Sequence, residues 1–211
     1  MPKKRLTRQE QQQRTRSRLM DSAAKIFACK GMQQGSIDEV AEDAGYTKGA
    51  FYANFKSKEE LFLAMLDERF AERLGEVERA FATDESPPQQ ARHAAADFAR
   101  ACRVDEDDEG LFLQFATYAL QNESFRAELL TRFATLRSRL EEVYGHRAET
   151  SGIESPVPMD RLVRMIIAMA DGWEMWRLLE PEAVDDEMFE SMMEIFVTGI
   201  GAMAGLQVSG D

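Results

Sequence analysis

Cysteine and histidine are scarce in this chain of 211 residues, which has two of each. Cys29 and Cys102 are too few for the disulfide framework that small secreted proteins use. The basic start of the chain is followed by no apolar segment, so it is not an export signal, and we expect a cytoplasmic protein. His93 and His146 belong to no Glu-x-x-His or His-Glu-x-x-His pattern. Glu142 and His146 share a helix face, an arrangement more typical of an ion pair than of a catalytic site. We therefore expect no metal, no cofactor and no enzymatic activity.

Long apolar runs and strand patterns are absent as well. The longest apolar stretch, from Phe196 to Leu206, is about half of the ~20 residues that a membrane-spanning helix needs, so no membrane association is expected. Alternation of β-branched residues is missing, whereas apolar residues recur at helical spacing along most of the chain. The sequence therefore predicts an all-α protein.

Positive charge is confined to one end of an acidic chain. The net charge is −12, yet residues 1–60 hold 12 basic and 8 acidic residues. The remaining residues hold 14 of the 26 basic and 30 of the 38 acidic side chains. Such asymmetry indicates a polyanion partner at the basic end. Composition alone is equally compatible with a disordered basic tail that promotes solubility.

Helix caps and glycine stops are dense between residues 31 and 60. Ser36 with Glu39, and Ser57 with Glu60, have the spacing of capping boxes, and Thr47 can cap a helix between them. Positions 31 and 45 are glycines, which end helices in the left-handed conformation. These signals predict a first helix from about residue 9 or 14 to 30, followed by helices over about 36–44, 47–55 and 57–81.

The two short helices have the properties of a helix-turn-helix. Ala41 is small where the helices would cross, and Gly45 permits a positive φ at the turn. The second helix would bury Phe51 and Phe55 and expose a face of small and polar residues that can enter the major groove of DNA. On periodicity alone, an αα-corner in an ordinary helical protein is the alternative.

The rest of the chain predicts further helices and a division into two domains. The helices are expected at about 89–104, 111–121, 124–144, 159–179 and 185–204, after the break at Pro87-Pro88. The stretch 145–158 is expected to be a loop, and the acidic run from Asp105 to Glu109 a solvated connection rather than a metal site. Residues 1–60 are predicted to form the DNA-binding domain, and residues 61–211 a helical effector-binding and dimerisation domain.

From Leu19 to Leu66 the sequence resembles the DNA-binding domain of the TetR family of bacterial regulators. The shared pattern includes Ala23-Ala24, Val40-Ala41, Ala44-Gly45 and the aromatic string from Phe51 to Phe55. The resemblance implies base contacts from the start of the second helix and phosphate contacts around it. The implied DNA-binding residues are Ser36, Thr47, Lys48, Gly49, Ala50, Tyr52, Asn54 and Lys58, with Arg14, Arg16 and Arg18 on the flanking backbone or in the minor groove.

The last two helices are expected to form a homodimer, because a stripe of apolar residues follows one face of the final helix, although such a stripe also suits an intramolecular core. Its residues are Met188, Met192, Ile195, Phe196 and Gly199. The family commonly holds a small ligand between its middle helices. Candidates for such a pocket, which equally suit a ligand-free core, are Phe98, Cys102, Phe115, Tyr118, Met169 and Trp173.

The resemblance implies a transcriptional regulator, expected to be a repressor that an unknown small-molecule effector releases from a palindromic double-stranded DNA operator. An enzyme and a ligand-blind architectural DNA-binding protein are the alternatives.

Overall fold

The computed structural model describes residues 7–83, 85–104, 111–152 and 154–204, and within these ranges all regular structure is helical. This confirms the predicted all-α class. The helices are α1 (Arg8–Gln34), α2 (Ile37–Asp43), α3 (Lys48–Tyr52), α4 (Lys58–Phe81), α5 (Pro87–Val104), α6 (Leu111–Gln121), α7 (Glu123–Thr150), α8 (Met159–Leu179) and α9 (Asp186–Met203). No helix in the described part of the chain has the length and apolarity to cross a membrane.

The chain divides into two compact units. The described residues of the first unit fall in Met1–Glu68 and Asp107–Leu129, and those of the second in Arg69–Glu106 and Leu130–Asp211. Helix α6 and the start of α7 therefore belong with the N-terminal helices, although residues 61–211 are predicted from sequence to form one domain. Helix α4 contributes its first turns to one unit and its remainder to the other.

Aromatic side chains form the core of the first unit. The ring of Phe62 in α4 lies 4.9 Å from that of Phe27 in α1 and 4.2 Å from that of Phe115 in α6, measured between centroids. Phe51 and Phe55 are also buried, as the helix-turn-helix pattern predicts. Because α6 packs against α1, the core that supports the helix-turn-helix includes residues beyond 1–60.

The core of the second unit is built mainly by α5, α8 and α9. Trp173 in α8 is 2% exposed and stacks on Phe189 in α9, with 4.9 Å between the ring centroids. Small residues of α5, among them Ala95 and Ala99, allow α9 to pack closely against that helix. Burial of these apolar surfaces is the main stabilising contribution here.

Several helix ends differ from the sequence prediction. Helix α7 continues through Gly145 to Thr150, so the predicted loop over 145–158 begins too early. Helix α5 begins at Pro87, because proline suits the first helical position. Helix α3 ends at Tyr52 rather than near Phe55. The acidic run Asp105–Glu109 lies outside the described residues.

Candidate nucleic-acid interface

The turn between α2 and α3 depends on a glycine. Gly45 has a φ of +75°, a conformation that costs other L-residues roughly 1–2 kcal/mol. The amide of Tyr46 donates to the carbonyl of Ala41 at 2.7 Å and so closes the end of α2. Ala41 itself is buried in the first unit. The structure confirms the predicted turn residue and the small residue beside it.

The start of α2 is fixed by a complete capping box. The hydroxyl of Ser36 accepts from the amide of Glu39 at 3.2 Å, and the Glu39 carboxylate accepts from the Ser36 amide at 2.9 Å. Lys30 of α1 donates to the same carboxylate. The hydrogen bond from the Lys30 ammonium, followed by those from Ser36, lowers the pKa of Glu39 to about 2. Ser36 is half-buried, and its hydroxyl is engaged in this cap.

Small and polar residues form the exposed face of α3. Thr47 caps the helix by accepting from the amide of Ala50 at 3.2 Å. Thr47, Lys48 and Gly49 are exposed and Ala50 is half-buried. A methyl group added at Gly49 would meet only the Thr47 hydroxyl, 3.7 Å away. No neighbouring side chain therefore projects over this part of the helix. Tyr52 is 50% exposed at the end of the helix. This face combines low bulk with hydrogen-bonding groups, as entry into a DNA groove requires.

Lys48 is held by an acidic residue that the sequence analysis did not single out. Its ammonium donates to the carboxylate of Asp38 on α2 at 2.9 Å, and both side chains are largely exposed. The hydrogen bond from Asp38 and its charge raise the pKa of Lys48. The two residues are ten positions apart, on either side of the turn, so no local sequence pattern predicts their contact.

Asn54 and Arg16 are bound to one another and to the domain. The side-chain amide of Asn54 donates to the carbonyl of Ala50 at 2.8 Å, while its buried Oδ1 has no partner among the described residues. Arg16 donates to the backbone carbonyl of Asn54 at 2.6 Å and lies over the ring of Phe55, 4.1 Å from its centroid. Arg14 and Arg18 are exposed. Arg16 therefore fastens α1 to the end of the helix-turn-helix.

Lys58 has a structural role in addition to its predicted phosphate contact. Its ammonium donates to the carbonyl of Met32 at 2.7 Å and lies 3.4 Å from the carbonyls of Gln33 and Gly35. These carbonyls lie at the end of α1, whose last turn carries no basic residue. A cation at a helix C-terminus is stabilising, and Lys58 supplies it from α4.

The described residues of the predicted pocket are divided between the two units. The side chains of Phe98 and Cys102 lie outside what the structure describes. Phe115 and Tyr118 belong to the first unit, where the Tyr118 hydroxyl donates to Glu59 at 2.8 Å. Met169 and Trp173 belong to the second unit, where the indole N–H of Trp173 donates to the carbonyl of Asp185 at 2.9 Å. The described four pack into the two cores.

The stripe predicted for dimerisation is largely exposed. Ile195 is 71% exposed, and Met188 and Gly199 are exposed on the same side of α9. Met192 is half-buried, whereas Phe196 packs against the core of the second unit. Helix α8 adds exposed apolar side chains of its own, which sequence analysis missed: Met165, Trp176 and Leu179.

The side chains of the described residues form no cluster of three or more acidic, cysteine or histidine ligands that could hold a metal ion.

Two family models match separate parts of the chain. Residues 19–65 match the model for bacterial regulatory proteins of the tetR family, and residues 103–202 match the C-terminal model of BetI-type transcriptional repressors. Over 58 residues the chain is 43% identical to the HTH-type transcriptional regulator AcrR of Shigella flexneri, covering 28% of this chain and 26% of that protein. Over 100 residues it is 31% identical to the HTH-type transcriptional activator FasR of Mycolicibacterium smegmatis, covering 47% of this chain and 45% of that protein.

The chain thus spans between about a quarter and a half of the length of these curated relatives. A solved structure shares the fold over most of the chain. The transcriptional regulator FadR of Bacillus subtilis, in complex with stearoyl-CoA, superimposes with a TM-score of 0.74 at 17% identity, covering 87% of this chain and 98% of that one. The superposition shows the fold, and the two family models, together with the capped helix-turn-helix, show that the chain belongs to the tetR family of bacterial regulatory proteins.

Proposed function

We propose that this regulator is a homodimeric repressor that binds a palindromic DNA operator and leaves it when a small molecule binds. The observation that carries the proposal is the exposed, low-bulk face of α3, on which Thr47, Lys48 and Gly49 stand in sequence. Family membership agrees with the predicted class, a regulator rather than an enzyme. The operator, the dimer and the effector are proposals beyond that membership.

The start of α3 is the proposed base-reading segment. Thr47 and Lys48 can donate to base edges, Ala50 can touch a thymine methyl group, and Gly49 lets the backbone approach the groove. Tyr52, Arg14 and Arg18 are the proposed phosphate contacts, because all three are exposed and can donate hydrogen bonds. Ser36, Asn54, Arg16 and Lys58 stay in the proposed interface, and their contacts within the protein hold its backbone in place.

The exposed apolar faces of α8 and α9 support a homodimer. Contiguous apolar surface of this kind is unusual on a monomer and marks interaction sites. The flat position at Gly199, where an added methyl group would meet nothing within 4 Å, permits close approach of a second helix. A two-fold dimer also presents two copies of α3 to two half-sites about one helical turn (~34–36 Å) apart.

Repression is supported by the model of BetI-type repressors, which matches residues 103–202. The similarity to the activator FasR is equally long, 100 residues, and makes activation the alternative. Release by a small molecule rests on analogy with the neighbour FadR, which was solved in complex with stearoyl-CoA.

Selection of bound sequences from random duplex DNA tests the proposal. The full chain should enrich a palindrome with fixed half-site spacing, and a reporter gene placed behind that palindrome should be repressed. Enrichment without a consensus would indicate an architectural DNA-binding protein. Activation of the reporter would show that the protein is an activator rather than a repressor, and the proposed DNA interface would be unaffected.

A further inference from the structure

A small, partly open cavity lies in the second unit, and none of the described residues predicted to line a pocket is among its lining residues. Its volume is about 80 Å³. The wall is mostly carbon and comes from the end of α4 and from α5, α7, α8 and α9, with Phe81, Ala91, Ala148, Ile166 and Val197 among its residues. Among the described residues, no carboxylate lines it.

The volume limits the size of the occupant. A water molecule occupies about 30 Å³ of liquid, and an apolar cavity of about 150 Å³ takes up benzene. A cavity of about 80 Å³ is therefore large enough for an aliphatic chain of about three or four carbons. Such a chain would gain the burial energy that the apolar wall offers.

Arg147 of α7 supplies a fixed positive charge at the cavity wall. Its Nε donates to the side-chain oxygen of the fully buried Gln90, and its Nη2 donates to the carbonyl of Glu85 at 2.9 Å. Gln90 is itself held by a 2.6 Å bond to the carbonyl of Thr83. Among the described residues, Nη1 has no hydrogen-bond partner and no carboxylate forms an ion pair with this guanidinium. The charge is thus held in place by neutral groups.

Two hydroxyl groups lie one turn on either side of Arg147, one in α7 and one just after its end. Ser151, one turn further along, also lines the cavity, and its buried Oγ has no hydrogen-bond partner in the described chain. Tyr144, one turn earlier, lines the cavity and packs against Phe81, with 5.1 Å between the ring centroids. Burial raises the pKa of the Tyr144 phenol, so the group remains a donor at neutral pH. Each of these three groups can donate a hydrogen bond to an oxygen acceptor.

An open groove adjoins the cavity and offers a path of entry. Phe81 and Arg147 line both, so these two side chains form the shared wall. The groove has a volume of about 530 Å³, and two carboxylates, Glu78 and Glu142, are among its lining residues. Glu142 is paired with Arg139 at 2.7 Å, which reduces its repulsion of an anion.

We propose that this cavity binds a small monocarboxylic acid, with its aliphatic tail of about three or four carbons among the apolar side chains and its carboxylate on Arg147 and Ser151. Charge-assisted bonds from a guanidinium are the strong form of carboxylate recognition. The acid would be the effector, a role that rests on the proposed function.

Calorimetric titration of the full chain with n-butyrate and n-pentanoate tests the site. Both acids should bind saturably, and n-butanol and n-butylamine, which carry similar tails without the carboxylate, should bind at least tenfold more weakly. Equal binding of n-butanol would overturn the assignment of the ligand class. Absence of saturable binding by either acid would overturn the site.

Two variants separate binding from folding. Ala148→Leu fills the cavity, so it should abolish butyrate binding while the thermal midpoint stays the same or rises, because cavity filling commonly stabilises a protein. Ser151→Ala removes a buried hydroxyl without a partner, so it should stabilise the protein and yet weaken butyrate binding. If butyrate binds both variants as it binds the unchanged protein, it binds elsewhere and the proposal is wrong.

Operator binding, measured with and without n-butyrate, distinguishes this proposal from the proposed function. Release by butyrate supports both. Butyrate binding without operator release overturns the effector role, whereas failure of the ligand-free protein to bind any selected sequence overturns the proposed DNA-binding function and leaves the carboxylate site standing.

Discussion

The helix-turn-helix and the second unit obtain their structure in different ways. In α1–α3, side chains three residues apart cap each helix start, and glycines with positive φ stand at positions 31 and 45. In the second unit, contacts between residues far apart in sequence determine the structure, as with Arg147 and Gln90 or Trp173 and Phe189. The backbone of the DNA-binding surface is therefore determined by residues close together in sequence. The structure of the second unit is determined by packing between residues far apart in sequence.

The ion pairs of the two regions differ in their exposure to solvent. Lys48 with Asp38 and Lys30 with Glu39 are pairs in contact with solvent. In the second unit, Arg69 and Arg73 both approach the buried carboxylate of Glu174, at 3.2 and 3.4 Å. Exposed pairs contribute little to stability, whereas a buried charge depends strongly on its partners. Substitutions should therefore affect DNA binding in the first region and folding or assembly in the second.

The largest expected effect comes from Gly199→Arg. The position is exposed and has space around it, so the protomer should still fold. If α9 forms the dimer interface, burial of an unpaired charge costs on the order of 3–5 kcal/mol, which corresponds to more than a hundredfold in association. Analytical ultracentrifugation should show a monomer, and operator affinity should fall steeply. Gly199→Ala is the matched control and should remain dimeric. A dimer that persists in Gly199→Arg would place the interface elsewhere.

Lys48→Ala should weaken operator binding by about 1–3 kcal/mol, or roughly 5- to 150-fold, through loss of a base contact. The unfolding midpoint should hardly change, because the ion pair with Asp38 is exposed. Fluorescence anisotropy with the selected operator measures the affinity. The exposed Lys56 provides the control: Lys56→Ala should reduce binding less and alike for all sequences. Unaltered operator affinity in Lys48→Ala would show that the assignment of α3 to the groove is wrong.

The pH dependence of stability should have opposite signs in the two regions. The folded pKa of Glu39, about 2, lies below its ordinary value of 4.5, so the stability it contributes is lost as pH falls from about 4.5 towards 2. Burial, with the charge of Glu174, raises the pKa of Asp171 from 3.8 to about 7, although Arg73 opposes this. Its ionisation therefore lowers stability as pH rises from about 4 to 7.

Urea unfolding at a series of pH values measures both effects. Asp171→Asn should remove the decline between about pH 4 and 7, and Glu39→Gln should remove only the decline below about pH 4.5. An unchanged pH profile in Asp171→Asn would contradict the assignment.

The smallest expected effect separates stability from DNA binding within α3. Gly49→Ala should stabilise the folded protein by about 0.5–1 kcal/mol, because alanine replaces glycine within a helix that has room for the methyl group. The same methyl group should hinder approach to the groove and lower operator affinity. In α4, Gly75→Ala is the matched control, since only the flexible end of Arg79 lies near an added methyl group. It should give the same stabilisation with operator binding unchanged.

The fold was largely predictable because caps, prolines and glycines are local signals. The predicted ranges 111–121 and 159–179 coincide with α6 and α8. The end of α7 was not predictable, since Gly145 favours a stop and the turn beyond it is held by the contact of Arg147 with Gln90, 57 residues away. A tertiary contact of this kind overrides local preference.

In the candidate site, too, features set by local sequence could be predicted and features set by distant contacts could not. Exposure of Thr47, Lys48 and Gly49 follows from the periodicity of a short helix whose aromatic residues face inward. The partners of Arg16 and Lys58 lie 38 and 23 to 26 residues away, so sequence alone could not assign them. The cavity beside Arg147 escaped prediction because five helices contribute to its wall.

The ammonium of Lys58 couples two helix ends that would otherwise fray independently. The carbonyls of Met32, Gln33 and Gly35 receive this cation only while the first turn of α4 is formed. Loss of that turn would leave the end of α1 without its cation, and unravelling of α1 would in turn release Lys58. Amide hydrogens in these two segments should therefore exchange with solvent in a single opening event, as members of one cooperative unit.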